Sequence, residues 1–212
     1  MRFASREDAG QRLGRYLAEH NVGGDLVAGL PRGGVVVAAA VAQTLSLPLT
    51  ALVVRKIGHP WNREYAVGAL AEGGALLLEP EHAEVDGAAV AEIVSEETLR
   101  LEEYQRIFHP EGPLNLANKR VLVIDDGLAT GCTTEVAVRA CRRQAVVRVD
   151  VAVPVASVSG AARLAKVADQ VFALLIDPGF VAVGHYYRSF PQTADDEVLR
   201  WLHAARSPTH QP

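Results

Sequence analysis

Residues 121–134, Val-Leu-Val-Ile-Asp-Asp-Gly-Leu-Ala-Thr-Gly-Cys-Thr-Thr, concentrate more reactive groups than any other stretch of the chain. Four aliphatic residues lead to two adjacent carboxylates, Asp125 and Asp126. Small residues follow, with hydroxyls at Thr130, Thr133 and Thr134. The aliphatic run reads as a buried strand, and the loop after it feeds a helix expected to begin near Thr134. Free backbone N–H groups at a helix N-terminus, with hydroxyls beside them, suit a phosphate. The two acids would repel that phosphate. They suit the hydroxyls of an attached sugar, or the water shell of Mg²⁺. The pattern asks for a phosphorylated sugar rather than a bare anion. The plainer alternative, a strand–loop–helix with a polar cap, leaves two acids at the end of a buried strand without partners.

Two other segments bring cations. In Leu30-Pro31-Arg32-Gly33-Gly34, the glycines let backbone N–H groups come close to an anion, and Arg32 adds a forked donor suited to phosphate oxygens. A plain turn with a solvated arginine is an equal alternative. Arg55 and Lys56 close the next aliphatic run, where they read as a solvated strand end unless an anion site lies beside them. Near the end of the chain, Phe180, Tyr186 and Tyr187 could stack on a planar ring or pack the C-terminal helix. Cys132, at a helix start, could have a lowered thiol pKa, or be only a small loop residue.

The elements that must position these groups follow from periodicity and punctuation. A helix begins at Ser5-Arg6-Glu7-Asp8 and runs to about His20, with Leu13 and Leu17 on one face. Strands are expected at 26–30 and 49–54, with a helix over 35–45 between them. Gly73-Gly74 separates 65–71 from 75–79, which predicts a hairpin. A helix over 88–108 buries Val90, Val94, Leu101, Tyr104 and Phe108 and turns a face rich in Glu and Arg outward, and Pro110 ends it. Strands at 120–125, 147–153 and 170–175 alternate with helices at 134–144 and 159–167, and a last helix covers 195–205. The order implies an α/β fold with a five-stranded, mainly parallel sheet and helices on both faces. One domain spans 1–206, with an insertion over about 56–112 and a hood and C-terminal segment over about 177–206. Residues 207–212 read as a disordered tail.

Bulk properties narrow the function. The chain has 212 residues, 49% of them hydrophobic, and a net charge of −4, which gives no electrostatic reason to expect nucleic acid as a partner. Cys132 and Cys141 have no metal-ligand spacing and no disulfide pattern. No secretory leader or membrane-spanning run is read, so the expectation is a cytoplasmic protein with no membrane partner. Gly-x-x-x-x-Gly-Lys-Ser/Thr, Gly-x-Gly-x-x-Gly and Gly-x-Ser-x-Gly are all missing, which argues against P-loop, dinucleotide-binding and α/β-hydrolase sites.

Residues 121–134 resemble the motif of type I phosphoribosyltransferases that binds 5-phosphoribosyl 1-pyrophosphate (PRPP): a hydrophobic strand, two acids, three variable residues and Thr-Gly-x-Thr. Pro31, Arg32, Gly33 and Gly34 resemble that family's pyrophosphate loop, in which a cis peptide would fall at Pro31–Arg32. Arg55-Lys56 is similar to the Arg-Lys stretch of orotate phosphoribosyltransferases. The resemblance implies transfer of phosphoribose from PRPP to a nitrogen acceptor such as a nucleobase, with release of pyrophosphate. Arg32, Gly33, Gly34, Arg55 and Lys56 would take the pyrophosphate. Asp125 and Asp126 would hold the ribose hydroxyls, and Mg²⁺ through water. Gly127 would belong to the PRPP-binding set, and Ala129, Thr130, Gly131, Cys132, Thr133 and Thr134 would surround the 5′-phosphate. Asp125, Asp126, Arg32 and Lys56 are the expected catalytic groups, Phe180, Tyr186 and Tyr187 the expected base-stacking rings, and a homodimer the expected assembly. Position 129 is Ala, where many 6-oxopurine enzymes carry Asp, so the acceptor stays open. A PRPP- or nucleotide-sensing regulator of the same fold is the alternative.

Overall fold

A computed structural model describes residues 2–79 and 86–206. In chain order the elements are α1 (Arg6–Glu19), β1 (Leu26–Gly29), α2 (Gly33–Leu45), β2 (Leu49–Ala51), β3 (Val54–His59), β4 (Asn62–Ala71), β5 (Ala75–Leu78) and α3 (Gly87–Phe108). There follow β6 (Arg120–Ile124), α4 (Cys132–Arg143), β7 (Arg148–Ser157), α5 (Val158–Leu164), β8 (Gln170–Asp177) and α6 (Asp195–Arg206). The tail 207–212 lies outside the described residues.

Alternation along the central strands sorts side chains onto two cores. Val27, Leu122 and Ile124 face a layer built by α1, α2, α3 and α6. Ala28, Val121 and Val123 face α4, α5 and part of the small sheet. The five central strands are all parallel, in the order β2-β1-β6-β7-β8. From β1 the chain crosses through α2 outward to β2. From β6 it crosses through α4 in the opposite direction to β7. Adjacent strands whose connections diverge leave a crevice at their C-terminal ends, where open α/β sheets bind ligands. The loops after β1 and β6 are Pro31–Gly34 and Asp125–Gly131. No described helix is long and apolar enough to cross a membrane.

Several boundaries differ from expectation. The run 49–54 is two strands, not one. Leu52 N–H still donates to Gly29 O at 2.9 Å, but Val53 N–H donates to the Glu72 carboxylate at 2.7 Å, and the chain leaves the edge of β1. Val54 onward joins β4 and β5 in a separate antiparallel sheet, so Arg55 and Lys56 sit on that sheet and not at the end of a central strand. The expected hairpin is its β4–β5 half, turning through Gly73 and Gly74 at φ of 77° and 76°. Helix α4 starts at Cys132, two residues early. Strand β7 runs on to Ser157, paired with β8 as far as Asp177, and Leu128 bridges to its other edge: Leu128 N–H donates to Val155 O at 2.9 Å, and Ser157 N–H to Leu128 O at 2.8 Å.

Glu72 fastens the bend between the two sheets. Only 1% exposed, it accepts from Val53 N–H and from Gln105 Nε2 at 3.3 Å, and His109 Nε2 lies 3.3 Å away at the C-terminus of α3. Removing it strands a buried N–H and the polar ends of two side chains. Glu72→Ala should cost about 2–4 kcal/mol in urea unfolding, and Glu72→Gln, which keeps an acceptor for Val53, clearly less. Equal losses in the two variants would show that the acceptor at Val53 is not what matters.

Candidate functional site

The two loops at the crevice touch because one of them has glycine at the two positions of closest approach. A Cβ placed on Gly33 would fall on the Asp126 carboxylate and the Arg6 guanidinium, and one on Gly34 would come within 2.9 Å of Ile124 O. The Pro31–Arg32 peptide is cis, as the family resemblance implied. Helices α2 and α4 both begin here, at Gly33 and Cys132, and direct their N-termini to the same end of the sheet.

Each carboxylate is held in its own way. Asp125 accepts Asp126 N–H at 2.8 Å on Oδ1 and the Thr134 hydroxyl at 3.2 Å on Oδ2. Asp126 takes Arg6 Nε at 2.8 Å. The same guanidinium donates to Pro191 O at 2.7 Å and lies over the Phe190 ring at 3.7 Å. Tyr187 donates its hydroxyl to Asp126 O at 2.6 Å. Burial and the neighbouring Asp126 charge push Asp125 up to about 8. Burial also raises Asp126, against the pull of Arg6. A desolvated acid pair with one arginine between them is short of positive charge.

A cleft of about 760 Å³ opens beside this pair. Pro31, Arg32, Arg55, Lys56 and Thr133 line it, together with Glu96, Glu97, Arg100 and Tyr104 of α3. The structure thus gathers Arg32, from the loop after β1, and Arg55 and Lys56, from β3, around one space. Arg55 is paired with Glu97 at 2.7 Å, and Arg63 with Glu96 at 3.3 Å.

Other expected roles do not match the geometry. Tyr186 and Tyr187 are packed rings, 8% and 2% exposed, and offer no face for a base. Tyr186 stacks on Phe180 with centroids 5.5 Å apart and donates to Asp177 at 2.7 Å. Tyr187 lies between Phe3 and Phe190. They pack with Phe3 and Ala9 at the start of the chain rather than with the C-terminal helix. The Thr134 hydroxyl is turned to Asp125 and the Thr130 hydroxyl accepts Cys132 N–H at 3.4 Å, while Thr133 lines the cleft described above. Cys132 is no activated thiol: burial, then the nearby Glu79, push it up to about 12.

Two contributions escape a reading of the sequence. Arg6 reads there only as part of a helix start, where Ser5 does cap the helix by accepting Asp8 N–H. A cation in a first turn opposes the helix dipole, and that is a usable signal that it serves an acid elsewhere. The Glu and Arg face of α3 reads as solvated. Its spacing at 96, 97, 100 and 104 shows one face, but not what the face meets.

Residues 6–188 match the family model described as the phosphoribosyl transferase domain. A provisionally named phosphoribosyl transferase of Mycobacterium tuberculosis is 38% identical over 207 residues, which is 96% of this chain and 47% of that protein. The chain thus spans about half the length of the curated relatives it matches. The adenine phosphoribosyltransferase of Mycobacterium avium is 34% identical over 131 residues, covering 60% of this chain and 53% of that one. Among solved structures, TT1426 from Thermus thermophilus is 38% identical, covers 95% of this chain and 98% of its own, and superposes with a TM-score of 0.77.

The raised pKa of Asp125 has a consequence for stability. The folded value lies above the unfolded value near 3.8, so the folded state holds the proton more tightly. That contribution is complete below about pH 4 and is lost as pH rises through about 8. The charged form is therefore what folding works against at neutral pH. Asp125→Asn should be more stable than the parent at pH 8, by about 1–2 kcal/mol, with the gain shrinking toward pH 4. Melting curves across that range check it. A variant less stable at pH 8 would contradict the assignment.

Proposed function

The chain belongs to the phosphoribosyl transferase domain family, and on that premise we propose that it binds PRPP with Mg²⁺ and transfers the phosphoribosyl group to a nucleobase, releasing pyrophosphate. The observation that carries this reading is the meeting of an acid pair, two helix N-termini and three cationic side chains at the point where the sheet's connections diverge.

In this reading Asp125 and Asp126 accept the ribose hydroxyls, with their oxygens aimed by Thr134, Asp126 N–H and Arg6. The loop from Gly127 through Thr134 surrounds the 5′-phosphate with backbone N–H groups and the hydroxyls of Thr130 and Thr133. Arg32, the N–H groups of Gly33 and Gly34, Arg55 and Lys56 take the charge of the departing pyrophosphate. Positive charge builds on the ribose as the bond to pyrophosphate lengthens. The chain's contribution is then to hold the sugar still and to stabilise the leaving group, more than to move a proton. Among the described residues no cluster of three or more His, Cys, Asp or Glu could cage a metal. The acid pair, desolvated and short of positive charge, fits a hard cation held through water, with the ligand's own phosphates supplying most of its oxygens. Mg²⁺ bound there would act as a Lewis acid toward the pyrophosphate oxygens.

The likeness to an adenine phosphoribosyltransferase makes adenine the first acceptor to test. Ala129, exposed beside the loop, supplies no carboxylate to exchange a proton with an oxopurine. Uracil-like and orotate-like rings remain open.

Calorimetry should show Mg²⁺-dependent PRPP binding in the micromolar range, about −6 to −8 kcal/mol, with Asp125→Asn plus Asp126→Asn at least ~10-fold weaker. Folded protein that does not bind PRPP would overturn the reading. Steady-state turnover with adenine, uracil, orotate, hypoxanthine and guanine should show the last two slower in kcat by about 10²–10⁴, with Ala129→Asp narrowing the gap. Fast oxopurine turnover that the Asp does not improve would refute the proton argument. PRPP binding without turnover on any base would point to a sensor of the same fold.

A further inference from the structure

Arg55 is held from behind by a helix that lies outside all three motifs. Its Nε and Nη2 reach Glu97 Oε2 at 2.8 and 2.7 Å. Glu97 is 5% exposed, and its other oxygen takes Arg100 Nη1 at 2.6 Å. The ring of Tyr104 lies 5.4 Å from the Arg55 guanidinium carbon. Its hydroxyl donates to Asp195 at 3.0 Å, and the other Asp195 oxygen lies 3.9 Å from Arg32. Glu97, Arg100 and Tyr104 follow at helical spacing, so one face of α3 supports the cationic side of the cleft.

A carboxylate shut off from water is unfavourable unless it is paired, and Glu97 has two arginines. Those two charges leave the triad net positive, so the cleft keeps its attraction for an anion. Arginine is a long side chain with many rotamers, and its planar fork binds well only when it is already aimed. Glu97 occupies one edge of the Arg55 fork. Nε and Nη2 are the atoms engaged, and Arg55 lines the cleft, so Nη1 is the donor left to offer a ligand there.

We propose that Glu97 is a positioning residue, which fixes the Arg55 guanidinium so that its open edge meets the pyrophosphate of PRPP. This rests on the proposed phosphoribosyl transfer and adds to it a role for the inserted helix α3. Arg55 is the cation through which the proposed role acts, so it should matter to ligands that carry pyrophosphate and not to the sugar phosphate half.

The test is calorimetric titration of the intact chain with Mg²⁺-pyrophosphate and, separately, with ribose 5-phosphate. The proteins are the parent, Glu97→Gln, Arg55→Gln and the double variant. Glu97→Gln should weaken pyrophosphate about tenfold in the parent background, the size of one charge-assisted hydrogen bond, and less than about twofold when Arg55 is already Gln. Its ribose 5-phosphate affinity should match the parent. An equal loss in both backgrounds, an unchanged pyrophosphate affinity, or a gain, which would mark the carboxylate as a competitor of the ligand, would each overturn the proposal. Should Glu97→Gln fail to fold, Glu97→Asp keeps the charge, shortens the reach by one methylene, and is judged by the same outcomes. Parent protein that binds neither ligand would remove the underlying reading as well. Parent protein that binds both, with Glu97 variants unaffected, would remove this inference alone.

Discussion

Two carboxylates, adjacent in sequence, sit at the buried end of a strand, and much of the surrounding structure answers that constraint. Like charges this close, with little water, cannot both ionise freely. Arg6 supplies one countercharge from α1, and it is itself held by Pro191 O and the Phe190 ring. Thr134 turns its hydroxyl to Asp125, and Tyr187 fixes the backbone of Asp126. The glycines after β1 leave room for the neighbouring loop to close over the pair. With all of this in place Asp125 still stays well above the ordinary carboxylate range. The shortfall of positive charge is the physical basis for proposing a hydroxyl-bearing, cation-associated ligand here.

The cationic side of the cleft shows the opposite arrangement. There arginines are the primary groups, and acids from distant elements hold them: Glu97 for Arg55 and Glu96 for Arg63, with Asp195 nearest to Arg32. Acid pair and cationic wall meet around the ends of β1 and β6 and the start of β3. Such a gradient of charge suits a ligand with hydroxyls at one end and a pyrophosphate at the other. The small sheet that carries Arg55 and Lys56 stays in place because Glu72 ties the bend at Val53 to the end of α3. The insertion is thus joined to the core at the hinge and also lines the cleft.

The sheet class, the helix positions, the hairpin and the two ligand loops are all legible in the sequence, because each depends on residues close together in the chain. Aliphatic runs between turn-formers set the strands, a 3.6-residue period sets the helices, and Gly73-Gly74 marks its own turn. The acid pair and its phosphate loop are legible for the same reason, since a strand end, a loop and a helix start make one contiguous unit. Local signals misjudge the run 49–54. It carries the apolar pattern of one strand, and what splits it is the carboxylate of Glu72, which arrives from beyond another strand.

What only the tertiary structure decided is which distant residues complete the site. Arg6 is 120 positions from Asp126, Tyr187 is 61 from it, and Glu97 is 42 from Arg55. Each looks ordinary in its own segment: a helix start, a candidate stacking ring, a solvated helix face. Charge and hydrogen-bonding capacity belong to the residue type and can be read from the sequence. Which partner satisfies them depends on where the crossovers place each element, and that is set by packing across the whole sheet. The sequence by itself therefore determined which chemical groups the two loops carry, and with them the ligand chemistry proposed for the loops. The fold decided which loop faces which, and which buried charges hold them there.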